Sequence, residues 1–133
     1  MRVVMDSSAL LAFLREETDA EVVARIFAEG REETFAHAIN LCEVYYDTCR
    51  ERGEEYAEHV MTKLAGLGLQ ISEHMDPTFW RQAGQHKAII RRLSLADCFC
   101  LALAERLEAR IITKDHEFDP VAQQGIADIQ FIR

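Results

Sequence analysis

The chain has 133 residues and a net charge of −8, from 15 Lys and Arg against 23 Asp and Glu. Hydrophobic residues make up 49% and charged residues 29%, with only two Pro and six Gly; this excludes a disordered, collagenous or low-complexity chain and fits one domain over residues 1–133. No uncharged apolar run is long enough to span a bilayer, and Asp6 breaks the stretch where a signal peptide would need its apolar core.

Arg2–Met5 is a short apolar run that predicts a buried strand. Helical spacing follows over Ser8–Arg15 (Ala9, Leu10, Phe13, Leu14) and repeats over Glu21–Ala28 (Val22, Val23, Ile26, Phe27). Glu33–Ala36 is a weaker strand. Ile39–Arg52 is a strong helix carrying Leu41, Cys42, Val44, Tyr45 and Cys49. Gly53 interrupts it, and Tyr56–Leu67 forms another helix through Val60, Leu64 and Leu67. Gly68–Ser72 reads as a strand. Asp76-Pro77 opens the next helix, with Asp as cap and Pro in the first helical position. Phe79, Ala83, His86 and Ile90 share one face of it. Ser94 starts a further helix with Ala96, Phe99, Cys100, Leu103 and Leu107. Arg110–Thr113 and Asp128–Ile132 complete the set as strands.

Strands alternating with helices, each strand a short apolar run, imply a parallel sheet covered on both faces. The expected fold is α/β, a three-layer α/β/α sandwich around a mostly parallel sheet of four to five strands. In such sheets the site lies beyond the carboxyl ends of the strands. Cys42, Cys49, Cys98 and Cys100 form no C-x-x-C pair and lie in apolar helical surroundings, so they are expected as free core thiols in a reducing compartment rather than zinc ligands.

The carboxyl edge is rich in acids. Asp6 directly follows the first strand, and Asp115 follows the strand ending at Thr113. Glu43 and Asp97 sit near helix starts, three residues after Asn40 and Ser94. Each has a local reading: Asp6 as a helix cap, Asn40-x-x-Glu43 and Ser94-x-x-Asp97 as capping boxes, Asp115 as a turn acid. Together they place an acid at each of these openings. Like charges held close repel unless a cation sits between them. A hard ion with oxygen ligands, Mg2+ or Mn2+, suits such a set. It would support phosphodiester hydrolysis by lowering the pKa of the attacking water and stabilising the leaving oxygen. No G-x-G-x-x-G and no G-x-x-x-x-G-K-[ST] is present, which sets aside a Gly-rich nucleotide cradle.

Four segments in order resemble one family. Val3-Val-Met-Asp6-Ser-Ser-Ala-Leu-Leu-Ala-Phe13 resembles the opening of PIN-domain ribonucleases. Asn40-Leu-Cys-Glu43-Val-Tyr-Tyr resembles their second acidic motif, Ser94-Leu-Ala-Asp97 their third, and Ile111-Ile-Thr113-Lys-Asp115-His-Glu-Phe118-Asp119 their fourth. The resemblance covers essentially the whole chain, and the compact length is similar to that of VapC toxins of prokaryotic toxin–antitoxin pairs. It implies a Mg2+- or Mn2+-dependent endoribonuclease, with one or two ions, acting on single-stranded or looped RNA. Asp6, Asp97 and Asp115 would be metal ligands, Glu43 would complete the quartet directly or through water, and Asp119 is an optional further acid. Thr113 would hydrogen-bond in the site. Asn40 would likewise hydrogen-bond in the site; it stands near a Ser or Thr of many relatives and departs mildly from the pattern. The implied protein is a homodimeric toxin of the prokaryotic cytoplasm, blocked by a small antitoxin and independent of membranes.

The acidic balance argues against clamping nucleic acid over a broad basic face, but an enzyme needs only a local basic patch. Arg81–Arg92 contains no acid. On a helix turning ~100° per residue, Arg81, Gln85 and Arg92 share one stripe and Lys87 and Arg91 another. Arg91 and Arg92, shortly before Asp97, are candidates to hold RNA phosphate, as is Lys114 beside Asp115; a solvated surface is the plainer alternative. His86 is expected as a packed histidine, and neither His37 nor His116 is required by metal-assisted hydrolysis. Tyr45, Tyr46 and Trp80 are expected as core or interface aromatics before base-stacking platforms. The apolar surface of the first helices belongs to the core, with any excess open to an antitoxin helix or a second subunit. A phosphatase using Asp6 as nucleophile would show a second Asp two residues on, where Ser8 stands. A receiver-type domain would want paired acids at the first strand end, where Asp6 is alone. A PIN nuclease of RNA processing, or a PIN-like binding module without catalysis, is the alternative to a toxin.

Overall fold

Arg2–Met5 forms β1, as its apolar run predicts. In this computed structural model, which describes residues 1–133, the chain continues through α1 (Ser7–Leu14), a 3₁₀ turn at Thr18–Ala20 and α2 (Glu21–Glu29) to β2 (Glu33–His37). The helices α3 (Ala38–Arg52) and α4 (Glu54–Gly66) lead to β3 (Gln70–Ser72). Then α5 (Pro77–Ile89) and α6 (Leu95–Leu107) lead to β4 (Arg110–Thr113). A 3₁₀ turn at His116–Phe118 and the short α7 (Asp119–Gln123) precede β5 (Ile129–Phe131).

All five strands pair in parallel, in the order β3-β2-β1-β4-β5. The sheet is therefore wholly rather than mostly parallel. Central β1 aligns Val4 with Phe35 on one side and Ile111 on the other. Alternate side chains of a strand serve opposite faces. Val3, Met5 and Ile112 join the core formed with α1–α4, while Val4 and Ile111 join the core formed with α5–α7. The result is the expected α/β/α layering. From β1 the order runs outward through β2 on one side and through β4 on the other. This reversal opens a crevice at the carboxyl ends of β1 and β4.

Several local expectations give way to packing. The cap of α3 is His37, whose Nδ1 accepts from the Ile39 amide at 3.1 Å. The helix thus begins two residues before Asn40, and Asn40-x-x-Glu43 is no capping box. His37 is fully buried and packs against both Phe79 and Phe99, with ring centroids 5.2 and 5.3 Å away, while the two phenyl rings also touch each other at 6.0 Å. Helix α5 ends at Ile89. Lys87 Nζ folds over its end to the carbonyls of Arg91 and Leu93, both at 2.8 Å, so Arg91 and Arg92 leave the stripes that a longer helix would give them. His86 is only partly packed; its Nε2 meets Glu105 Oε1 at 2.5 Å. All four cysteines are free. Cys98 and Cys100 are buried as expected, but Leu41 and Val44 take the inward face of α3 and leave Cys42 exposed. Tyr46 and Trp80 are exposed rather than core residues, with the guanidiniums of Arg50 and Arg81 stacked on them at 5.1 and 4.9 Å. No helix is long and apolar enough to cross a membrane.

Candidate active site

Asp6 leaves β1 in extended conformation and caps α1, so the end of a buried strand fixes its position. Oδ1 accepts from the Ala9 amide at 2.9 Å and from Ser8 Oγ at 2.7 Å. Oδ2 accepts from Thr113 Oγ1, the last side chain of β4, at 2.5 Å. Thr113 Oγ1 in turn accepts the Asp115 amide at 2.9 Å. Asp115 caps the following 3₁₀ turn by accepting the Glu117 amide at 2.9 Å. The two strand ends are thereby laced together through Thr113.

The other two acids arrive on helices. Ser94 caps α6 by accepting the Asp97 amide at 3.1 Å, which sets Asp97 in the first turn. Glu43 projects from α3, and its Oε1 accepts from Ser7 Oγ at 3.1 Å. Asp6 and Asp97 are almost fully buried, and Glu43 is exposed to a greater degree.

Electrostatics tie the four together. Burial first, then the charges of Asp6, Asp115 and Glu43 and a hydrogen-bonding contact with Asp115, push the Asp97 carboxyl up to about 9. Burial pushes Asp6 up to about 6; the bonds from Thr113, Ala9 and Ser8 oppose this, and Asp115 adds to it. Burial also raises Glu43, against the Ser7 bond and with the charges of Asp47 and Asp115. Asp97 differs from the other three in one respect: no donor of the chain reaches its carboxyl, whereas Asp6, Glu43 and Asp115 each accept at least one.

The donor set is carboxylate and hydroxyl oxygen, which suits a hard divalent cation. A cation would relieve the repulsion that the raised carboxyls express. As they stand, no three of the His, Cys, Asp and Glu side chains form a ready-made cage. Cys100 is close enough to feel Asp6, Asp97 and Glu43, and burial above all holds it as a thiol.

The remaining sequence candidates are placed unevenly. Asn40 is fully buried and donates Nδ2 to the Ala96 carbonyl at 2.9 Å, beside Asp97 but not to an acid. Asp119 is not among the groups that act on Asp97; it accepts from His116 Nδ1 at 3.2 Å, and the His116 ring stacks on Phe131 at 4.7 Å. Arg92 lines a depression together with Asp115, His116 and Asp119 and makes no ion pair. Arg91 stays outside that depression. Lys114 turns to Glu17 and Asp19, the latter at 3.1 Å, so its charge is already answered within the chain. Sequence reasoning missed Ser7 and Ser8, which hold Glu43 and Asp6, and Ser8 Oγ also accepts the Lys114 amide at 2.9 Å. Their only signal is adjacency to Asp6 in the first turn of α1.

The fold is similar to that of solved toxin–antitoxin structures. VapBC2 of Rickettsia felis, bound to a DNA fragment from its promoter, superposes with a TM-score of 0.77 at 13% identity over 100% of both chains. DNA-bound VapBC of Salmonella typhimurium gives 0.75 at 14% identity over 98% of each chain. VapC20 of Mycobacterium tuberculosis, a Sarcin-Ricin loop cleaving toxin, gives 0.70 at 15% identity over 90% of this chain and 94% of that one. At such identities the likeness establishes the fold. No curated sequence matches the chain. The family model described as the PIN domain matches residues 3–124, a span that holds both strand-end acids and both helix-borne acids, and the chain therefore belongs to the PIN-domain family.

Proposed function

We propose that this PIN-domain chain is a Mg2+- or Mn2+-dependent endoribonuclease and the toxin of a toxin–antitoxin pair. One observation carries the reading: Asp97, buried and without a donor, faces Asp6, Glu43 and Asp115. Such a carboxyl is poorly suited to folding alone and well suited to holding a hard cation.

Asp6, Asp97 and Asp115 are the residues that would hold the ion, with Glu43 completing the set. When bound, the ion supplies a more acidic water and charge stabilisation for phosphodiester hydrolysis. The chain's own part is placement. Thr113 and Ser8 fix the Asp6 carboxyl, Ser7 fixes Glu43, and Ser94 fixes the turn that carries Asp97. Arg92, unpaired beside Asp115, is the cation best placed to hold an RNA phosphate. Lys114 serves the rim instead, and Asp119 orients His116.

The similar structures from Rickettsia felis and Salmonella typhimurium are VapBC complexes, which supports a small antitoxin as the partner. A homodimer in the prokaryotic cytoplasm completes the proposal. The test is cleavage of a mixed RNA pool by purified chain with Mg2+ or Mn2+. EDTA and Asp97→Asn run beside it. Cutting lost in both controls is the expected result. A folded, inhibitor-free chain that binds no cation and cuts no RNA would instead be a binding module.

A further inference from the structure

Asn40 is fully buried yet half satisfied. Its Nδ2 donates to the Ala96 carbonyl at 2.9 Å, while no donor of the chain reaches its Oδ1. The amide cannot be the other way round. A flipped side chain would set Oδ1 against the Ala96 carbonyl, acceptor against acceptor. Buried acceptors in native proteins find a donor, and where the chain offers none the donor is water or a ligand.

The placement is specific. Asn40 lies in the first turn of α3, one turn ahead of Glu43. Ala96, its partner, immediately precedes Asp97 in the first turn of α6. One side chain therefore joins the two helices that bring acids to the crevice between β1 and β4.

We propose that Asn40 is a positioning residue of the acidic site: Nδ2 fixes the first turn of α6 next to Asp97, and Oδ1 accepts a hydrogen bond from a water molecule bound to the cation held there. The proposal rests on the metal-dependent reading above. A cation-bound water has two hydrogens to give, and carboxylates and an amide oxygen are acceptors only. Mg2+ keeps several of its waters when protein binds it. Outer contacts of this kind change metal affinity by about 10- to 100-fold.

The test reads Mn2+ affinity rather than turnover. Mn2+ is titrated calorimetrically into the chelator-stripped full chain, unaltered and as Asn40→Ala, Asn40→Ser and Asp97→Asn, with folding checked by circular dichroism. The unaltered chain is expected to bind and Asp97→Asn to fail. Asn40→Ala is expected to bind about tenfold more weakly or worse, and Asn40→Ser, whose hydroxyl still accepts, to recover part of the loss. A merely structural Asn40 would lower the Tm and leave Kd unchanged, which overturns the proposal alone. No binding by the unaltered chain overturns the metal reading and this proposal with it. Where neither Asn40 variant folds, crystals of the unaltered chain grown with Mn2+ decide. A solvent oxygen shared by Oδ1 and the ion supports the assignment, and an Oδ1 without one overturns it.

Discussion

Thr113 Oγ1 donates to Asp6 Oδ2 at 2.5 Å and joins the carboxyl ends of β4 and β1 across 107 residues of sequence. Both residues are buried, and the bond opposes the upward push of burial on Asp6. Thr113→Val keeps the shape and removes the donor. It is expected to cost about 1–2 kcal/mol of stability, as loss of a hydrogen bond to a buried carboxylate does. It should also move the Asp6 carboxyl further up and weaken cation binding. Urea unfolding and Mg2+ titration of the variant check both; an unchanged unfolding midpoint would show that the bond is dispensable.

The acids make stability fall as pH rises. Asp6 and Asp97 are raised to about 6 and about 9, and Glu43 is raised as well, chiefly by burial. Their folded-state values exceed the unfolded ones, so the folded chain holds protons that the unfolded chain releases. This contribution is complete below the ordinary carboxylate range and is lost as pH climbs through the folded values. His37 works the other way: burial lowers it from 6.5, so it costs stability only on the acid side. Between about pH 7 and pH 8.5 Asp97 carries most of the decline, because Asp6 has largely released its proton below this window. The metal-stripped chain should melt at a lower temperature at the upper end of this window. The gain in Tm on adding Mg2+ should grow over the same window. Scanning calorimetry in chelator and in Mg2+ measures both, and a Tm that rises with pH in chelator contradicts the account.

Arg92 and Lys114 look alike in sequence, each a cation close to an acid of the site, yet their surroundings separate them. Arg92 makes no ion pair and shares a depression with Asp115, whereas Glu17 and Asp19 hold Lys114. Arg92→Ala is expected to raise KM for RNA several-fold with little change in kcat, and to reduce the salt slope of binding by roughly 0.7–1. Lys114→Ala should move KM much less. Steady-state cleavage and binding at graded salt check the pair; equal effects of the two substitutions would mean that the contrast in pairing is irrelevant to substrate.

The strand-end acids were legible because β1 and β4 are buried on both faces and read as bounded apolar runs, so Asp6 and Thr113 mark their ends directly. Asp97 was legible through its Ser94 cap. The start of α3 was not. A histidine ring capping through Nδ1 has no spacing signature; packing against Phe79 and Phe99 and the contact of Nε2 with the His74 carbonyl at 2.8 Å hold the ring there. The end of α5 was hidden for a similar reason. Periodicity continues through Arg91 and Arg92, but Lys87 satisfies the carbonyls of Arg91 and Leu93 and lets the helix stop. The serines that hold Asp6 and Glu43 carry no pattern beyond their neighbours. The Ser7–Glu43 and Thr113–Asp6 bonds, across 36 and 107 residues, belong to tertiary structure and are invisible in local sequence.

Asp97→Asn separates the electrostatic role of this residue from a structural one. In the metal-stripped chain, burial and three neighbouring acids keep the Asp97 carboxyl protonated at neutral pH. An amide of the same shape is then a close substitute, and the Tm near pH 7 should change little. Above neutrality the two chains should diverge. The unaltered chain must release the Asp97 proton against its neighbours, at a cost of up to about 1.4 kcal/mol per pH unit from one group. Asn has no proton to release, so the decline above neutrality should shrink strongly, Asp6 having largely released its proton at lower pH. At the same time Mg2+ should no longer raise the Tm, and RNA cleavage should vanish. Thermal unfolding of both chains across pH, with chelator and with Mg2+, reads all of this in one series. A large loss of stability in Asp97→Asn near pH 7 would place Asp97 in the structural framework. A variant that keeps its Mg2+-dependent gain would place the cation elsewhere.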